Sequence, residues 1–244
     1  MSPALLIIPC FHERERLPRF LPELLEALQG MVVSVRVVDD GSSPDQQEWL
    51  RSYIAELQPR YPALEAPEIT PVNQGKGGAI YTGWDRPGPA ALLAFADADG
   101  AVPAAEVARL LREAAARPES ATFAVRTGAD GTRVSRALHR RIAGWVFRRL
   151  VRRFFHFPIP DTQCGCKIVP AEAYAAFRSL LQERRFTFDV ELTWHLLHRG
   201  REIRPVPVNW SERPGSHLRA ASVMAMFRSL QSLRRRLGDW KSRD

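Results

Sequence analysis

The chain has 244 residues, a formal net charge of +8 at neutral pH and a mean hydropathy of −0.24. That length supports one large α/β domain with a full hydrophobic core, and no run approaches the apolar length needed to cross a bilayer. Three cysteines, Cys10, Cys164 and Cys166, make neither a CxxC pair nor an even framework, which argues against a disulfide scaffold and for a reduced setting.

The first half alternates strand and helix. Residues 5–9 are a short apolar strand, after a start that lacks the basic and apolar regions of a signal peptide. Residues 13–29 carry Leu17, Phe20, Leu21, Leu24, Leu25 and Leu28 at a helical period. A second strand, 32–38, runs into Asp39-Asp40-Gly41-Ser42, a turn of the Asx type. A helix over 45–57 follows, then a short strand near 69–72. The glycine-rich stretch Asn73-Gln-Gly-Lys-Gly-Gly78 opens a helix over 79–84. Next comes an apolar strand from Ala90 to Phe95 that ends in Asp97 and Asp99, followed by a helix near 103–116 with a proline in its first turn. This alternation predicts a mostly parallel, doubly wound sheet with helices on both faces.

The second half is less regular. Between Arg133 and Phe157 stand eight arginines and no acid: Arg133, Arg136, Arg140, Arg141, Arg148, Arg149, Arg152 and Arg153. The stretch reads as an amphipathic helix with Ile142, Val146, Phe147, Leu150, Val151 and Phe154 on its apolar face. A loop over 158–167, helices over 171–181 and from 186, and a strand over 202–208 follow. The tail repeats the amphipathic pattern, with Val223, Met226, Phe227, Leu230, Leu233 and Leu237 on one face against Arg228, Arg235 and Arg236. Residues 1–218 are read as the main domain and 219–244 as a basic amphipathic C-terminal helix, with no linker or internal repeat. Clusters this basic imply nucleic acid, anionic lipid or a phosphorylated substrate, and charge alone does not choose.

The polar clusters narrow the choice. In a parallel α/β sheet the ligand crevice lies beyond the carboxyl ends of the strands, which puts Asp97 and Asp99 at its mouth. On an extended segment residues i and i+2 point to the same side. Two hard oxygen donors there suit a divalent cation, which takes one or two carboxylates plus substrate phosphates. The Gly-Lys-Gly-Gly stretch lacks the upstream glycine and the Ser/Thr of a P-loop. Its backbone N–H groups and Lys76 still suit an anion. Cys164 and Cys166 read as packed thiols, since no further Cys/His group completes a zinc site.

Taken in order, the motifs are Ile8-Pro-Cys-Phe-His-Glu13, Val38-Asp-Asp-Gly-Ser42, the 73–79 stretch, Asp97-Ala-Asp99, Asp161-Thr-Gln-Cys-Gly-Cys-Lys167, Phe188-Asp-Val-Glu-Leu192 and the Asn209 to Leu218 segment. That set resembles inverting glycosyltransferases of the GT-A fold, and within them the polyprenyl-phosphate sugar synthases of the dolichyl-phosphate β-glucosyltransferase type. The resemblance implies that Pro9, Glu13 and Asp40 hold the base and ribose of a nucleotide-sugar donor, with Lys76 near its diphosphate. It implies Mg2+ or Mn2+ on Asp97 and Asp99, and a catalytic or orienting role for Asp161. It sets Arg126, Arg136 and Arg140 toward the phosphate of a polyprenyl-phosphate acceptor, and Gln163, Lys167, Arg213 and His217 along the sugar and acceptor side. Two positions depart from the pattern: His12 stands where Asn is usual and His217 where Lys is usual.

The resulting expectation is a metal-dependent hexosyltransferase, cytoplasmic and peripherally attached to an anionic membrane surface, that moves glucose from UDP-glucose onto the lipid phosphate. GDP-mannose as donor, a soluble hydroxyl as acceptor, and a basic nucleic-acid-binding module are the alternatives. The last leaves the carboxylate motifs without a purpose, so no nucleic acid is expected.

Overall fold

The computed structural model describes residues 2–129, 131–135, 138–185, 187–212 and 220–238, with the side chains of 138–145 and 220–225 outside that description. Among the described residues seven strands make one sheet in the order β3-β2-β1-β4-β7-β5-β8. These are β1 (Ala4–Cys10), β2 (Val33–Asp39), β3 (Glu68–Ile69), β4 (Leu92–Ala96), β5 (Ala121–Val125), β7 (Cys166–Pro170) and β8 (Ile203–Pro207). Every pairing is parallel except those of β7, which runs antiparallel between β4 and β5. A two-residue pair, β6 (Val134–Ser135) with β9 (Trp210–Ser211), lies apart from it.

Strand period decides which side each helix covers. Leu6, Ile8, Val35, Val37, Leu92 and Ala94 share one core with α1 (Leu17–Ala27), α2 (Pro44–Leu57) and α4 (Ala104–Ala115). Their neighbours in sequence, Leu5, Ile7, Val38, Leu93 and Phe95, point the other way, to α3 (Lys76–Trp84), α6 (Ala171–Ala175) and α7 (Phe188–His198). The sheet is therefore buried on both faces, which is what continuous apolar strands such as β4 require. Pro9 is tolerated inside β1 because pairing with β4 ends at Ile7, whereas pairing with β2 continues to Cys10.

The expected mostly parallel sheet with helices on both faces is present, with some differences. Four strands, β5, β6, β7 and β9, were not foreseen, and β6 takes the start of the stretch read as helix from Arg133. The segment of β7 carries Lys167 at its second position and reads as polar loop, but the lysine is fully buried and paired inside the fold. The helix opened by the glycine stretch starts at Lys76 rather than 79, because Gly75 takes φ +95° as the cap. The helix expected over 171–181 is one short α-helix followed by a 3-10 turn, Arg178–Leu180.

The two basic segments form α5 (Leu138–Phe155) and α8 (Ala220–Leu237). Their apolar residues largely face each other and α7. Val151, Phe155, Phe157, Val190, Trp194, Leu230 and Leu233 make a third core cluster, with Phe147, Leu150, Phe154 and Leu237 against it. Val146, expected in the apolar stripe, is 41% exposed, and Phe155 is buried in its stead. The stripe read from the tail is thus a packing surface at Leu230 and Leu233, both fully buried. Arg236 adds a bond from α8, donating through Nη1 to Glu191 Oε1 on α7 at 2.6 Å.

Truncating a core leucine leaves a cavity that costs about 2–5 kcal/mol. Leu233→Ala should lower the urea midpoint accordingly in the absence of any lipid. An unchanged midpoint would return this face of α8 to a surface role.

Candidate functional site

Parallel strands deliver their C-terminal residues to one edge, and β7, being antiparallel, delivers its first residues to the same edge. Glu13 follows β1, Asp40 follows β2, Asp97 and Asp99 follow β4, Arg126 follows β5, and Asp161 to Gly165 lead into β7. The sequence-predicted residues that are described converge here. Arg136, Arg213 and His217 lie outside the described residues, as does the side chain of Arg140 on α5.

Strand β4 ends at Ala96, so Asp97 and Asp99 stand on a turn beyond it instead of on extended backbone, and the i, i+2 alternation does not apply. Burial and then the neighbouring Asp97 charge raise the Asp99 carboxyl above the ordinary aspartate range. One of its oxygens accepts the Ala101 N–H at 2.9 Å. Asp97 takes an ammonium: Lys76 Nζ lies 2.6 Å from its Oδ1. Burial acts to lower the lysine pKa, but Asp97 and Asp189 outweigh it and the net shift is upward, so Lys76 is held charged. Its ammonium also sits over the rings of Phe95 and Phe188, at 5.1 and 5.8 Å.

Among the described residues no three His, Cys, Asp or Glu side chains form a metal cluster. Two carboxylates at a strand end, one already holding a cation, fit an ion that completes its shell with water and substrate phosphate. That is the donor set Mg2+ or Mn2+ uses when its ligand is shared with a diphosphate.

Asp161 is the most tightly held carboxylate at this edge. Arg126 donates through Nε to Oδ2 at 2.7 Å and through Nη2 to Oδ1 at 2.9 Å, and the Gln163 N–H adds a bond at 3.0 Å. Burial acts to raise its pKa, yet the Arg126 charge and hydrogen bonds hold it well below the usual carboxylate range. The fork of Arg126, expected on an acceptor phosphate, is thus engaged by Asp161. Gln163 Nε2 also reaches Asp189 Oδ2, at 3.5 Å.

Lys167 is fully buried, with Nζ 2.6 Å from Asp189 Oδ1 and donating to the Cys164 carbonyl at 2.8 Å. It reaches the site through Asp189 and has no open surface of its own. Asp40 likewise accepts the Gln74 N–H at 2.8 Å and the Gly75 N–H at 2.7 Å, which pins the glycine loop in front of Lys76. Asp39 closes the foreseen Asx turn by accepting the Ser42 N–H at 2.9 Å. Glu13 pairs with Arg16, its Oε2 accepting Nε at 2.7 Å, and burial raises its pKa despite that partner. Asn209 donates to Glu106 at 2.6 Å and accepts the Arg133 N–H at 2.9 Å, so it fastens β6 and β9 to α4.

Sequence reasoning gave no role to Gly165, Asp189 or Glu191. A Cβ at Gly165 would lie 2.0 Å from Asp97 Oδ2, so this glycine exists to let the carboxylate in. Its place between two buried cysteines was the available signal. Gly77 has a different purpose from the expected close approach to phosphate: its Cβ would meet Phe188 Cβ at 2.5 Å, so it lets α3 pack on α7.

Residues 5–178 match the family model described as glycosyl transferase family 2. Dolichyl-phosphate beta-glucosyltransferases of Mus musculus and Homo sapiens are each 32% identical over 230 residues, 87% of this chain and 68% of theirs. Among solved structures, glucosyl-3-phosphoglycerate synthase from Mycobacterium tuberculosis, in complex with Mn2+, UDP and phosphoglyceric acid, superposes with a TM-score of 0.70 at 16% identity. That match covers 98% of this chain and 79% of that one.

The Arg126–Asp161 pair makes a stability prediction. Breaking a buried ion pair from one side costs roughly 3–5 kcal/mol. Asp161→Asn should lose that much in urea unfolding near neutral pH. Because the folded pKa of Asp161 is depressed, its contribution is full above the unfolded value of about 3.9 and is lost as pH falls toward the folded value. The gap between wild type and variant should therefore narrow in acid, and a gap independent of pH would contradict the pairing.

Proposed function

This chain belongs to glycosyl transferase family 2, and we propose that within it the chain moves glucose from UDP-glucose, with inversion, onto a polyprenyl or dolichyl monophosphate. The observation that carries the reading is the meeting of Lys76, Asp97 and Asp99 with the arginine-rich side around Asp161 at one sheet edge. The names of the mouse and human relatives support glucose and a lipid phosphate, and UDP with Mn2+ in the mycobacterial neighbour supports the donor. A β-linked product from an α-linked sugar nucleotide requires a single in-line displacement.

The residues divide the work by charge. Bound by Asp97 and Asp99, Mg2+ or Mn2+ would neutralise negative charge on the departing nucleoside diphosphate. Lys76, kept protonated by its carboxylate neighbours, offers a second positive charge on that side. Glu13 and Asp40 border the same edge and frame the nucleoside end, Asp40 by fixing the loop at Gln74 and Gly75. Asp161, held ionised by Arg126, is a poor proton acceptor and acts as an anchor that orients Arg126 and Gln163. No strong base is required, because a phosphate monoester with a second pKa of about 6 is already an oxyanion near neutrality. Gln163, through Asp189 and Lys167, sets the polar wall facing the sugar.

An acceptor with a long apolar chain stays in a bilayer, so the reaction belongs at a membrane surface. No helix of the described residues is long and apolar enough to cross a membrane. Exposed Arg149, Arg152 and Arg153 on α5, and Arg228 and Arg235 on α8, provide contacts for anionic headgroups.

Transfer from radiolabelled UDP-glucose into a polyprenyl phosphate in detergent is the direct test. Lipid-linked glucose that forms with Mg2+ or Mn2+ and not with chelator is the expected outcome. Transfer from GDP-mannose instead, or to a soluble hydroxyl compound instead of the lipid, would overturn donor or acceptor. Asp99→Asn should abolish transfer and weaken Mn2+ binding in the presence of UDP. Since the Asp99 pKa is raised and the ion needs its carboxylate, wild-type Mn2+ affinity should begin to fall above the ordinary aspartate pKa of about 3.9 as pH is lowered. Paramagnetic resonance titration reads that step, and a step that persists in Asp99→Asn would assign it to another group.

A further inference from the structure

The resemblance sets Arg126 toward the acceptor phosphate, but its Nε and Nη2 are both bonded to Asp161 and its guanidinium lies 5.5 Å from the Trp210 ring centre. A neighbouring guanidinium is in the opposite condition. Nη1 of Arg148, on α5, is buried from solvent and has no hydrogen-bond partner among the described residues. An unpaired buried donor is costly and calls for an acceptor. Asp161 is the one carboxylate whose charge acts on Arg148 among the described residues, while Arg126 and Arg152 act against it. Arg126 and Arg148 thus both act on a carboxylate that Arg126 alone already neutralises, and Arg152 adds its charge beside Arg148, leaving a positive excess.

The space beside Arg148 has a charged wall and an apolar one. A shallow pocket there is lined by Arg148, Arg152 and Thr162 on its polar side and by Phe157, Ile159 and Pro160 on its apolar side. Arg148 and Arg152 are i, i+4 neighbours and so lie on one face of α5. Val151 and Phe155 of the same helix are turned into the core, which fixes the orientation of that face. Thr162, which also lines the pocket, is adjacent in sequence to Asp161.

We propose that Arg148, with Arg152 and Thr162, binds the phosphate monoester of an amphiphilic acceptor, and that Phe157, Ile159 and Pro160 receive the first carbons of its chain. The proposal rests on the reading of the acceptor as a lipid phosphate and names the residues that would hold it. A guanidinium with free donors matches phosphate oxygens in a way that an ammonium does not. Two unneutralised cations match the charge of a monoester dianion.

Calorimetry on the whole chain with farnesyl phosphate, farnesol and inorganic phosphate tests this, with UDP and Mg2+ as a separate titration. Wild type should bind farnesyl phosphate more tightly than either other probe. Arg148→Gln should weaken it at least tenfold with UDP affinity unchanged, Arg148→Lys should recover part of the loss, and Arg112→Gln on the exposed side of α4 should have no effect. In transfer assays Arg148→Gln should raise KM for the lipid and leave KM for the sugar nucleotide in place. Should Arg148→Gln not fold, Arg148→Lys alone still separates the two KM values. Farnesyl phosphate binding that is unchanged in Arg148→Gln, or weakened equally in Arg112→Gln, would overturn the subsite. Inorganic phosphate binding as tightly as farnesyl phosphate would remove the apolar wall from it. Wild type that binds farnesyl phosphate through Arg148 yet transfers no sugar to lipid phosphate would leave the subsite standing and overturn the acceptor reading.

Discussion

Carboxylates gathered at one sheet edge must be neutralised or they will not stay ionised, and much of this structure serves that requirement. Glu13, Asp97, Asp99 and Asp189 act on one another's charge, and burial or repulsion raises the pKa of Glu13, Asp99 and Asp189. Each has a cation near it. Arg16 serves Glu13, Lys76 serves Asp97, and Lys167 serves Asp189. The lysines come from different layers, Lys76 from the start of α3 and Lys167 from the start of β7. Inserting β7 antiparallel between β4 and β5 is what brings Lys167 and Gly165 beneath the carboxylates. An edge built this way is preorganised for a cation and a diphosphate, because its dipoles and charges are fixed before the ligand arrives.

The position of Lys76 depends in turn on a stretch of chain that contributes no group to the cation side. Glu191 on α7 accepts the N–H groups of Gln182 and Glu183 on one oxygen and Arg236 of α8 on the other. The segment so fixed places the Arg184 carbonyl to accept the Gly78 N–H at 3.0 Å, and Arg184 Nη1 donates to Gln74 at 2.8 Å. Gln74 and Gly75 are then held by Asp40. Contacts therefore run unbroken from the C-terminal helix to the loop before Lys76. Such a path positions its members; it would carry a signal only if it had two discrete arrangements.

How much of this was legible in the sequence follows from what each signal encodes. Strand–helix alternation and the carboxylates at strand ends were readable because burial on both faces leaves an apolar run and function leaves polar residues just past it. Strand β7 was not, since a lysine at its second position looks like solvent exposure until Asp189 and two aromatic rings are folded around it. The run of β5, Ala121 to Val125, is apolar but for Thr122 and carried a signal that helical residues on either side obscured. At the site, the motifs identify which carboxylates matter and say nothing of what each one faces. Asp40 and Asp97 look alike in sequence, yet one holds backbone amides and the other an ammonium.

The same ambiguity governs the basic helices. An apolar stripe bordered by arginines is the pattern of a membrane-surface helix and equally that of a helix packed on a basic protein's core. Burial separates the two: Leu230, Leu233 and Phe155 are fully covered by protein, so they have little left to offer a bilayer. What remains on the outside, Val146 apart, is mainly charge, since the arginines of the opposite face are exposed. Attachment that depends on those arginines is screened within a Debye length of about 8 Å at physiological salt. A protein holding its lipid substrate through one buried guanidinium, and the membrane through exposed ones, would bind the surface weakly and the substrate specifically. Charge on one side of α5 and packing on the other allow both from a single helix.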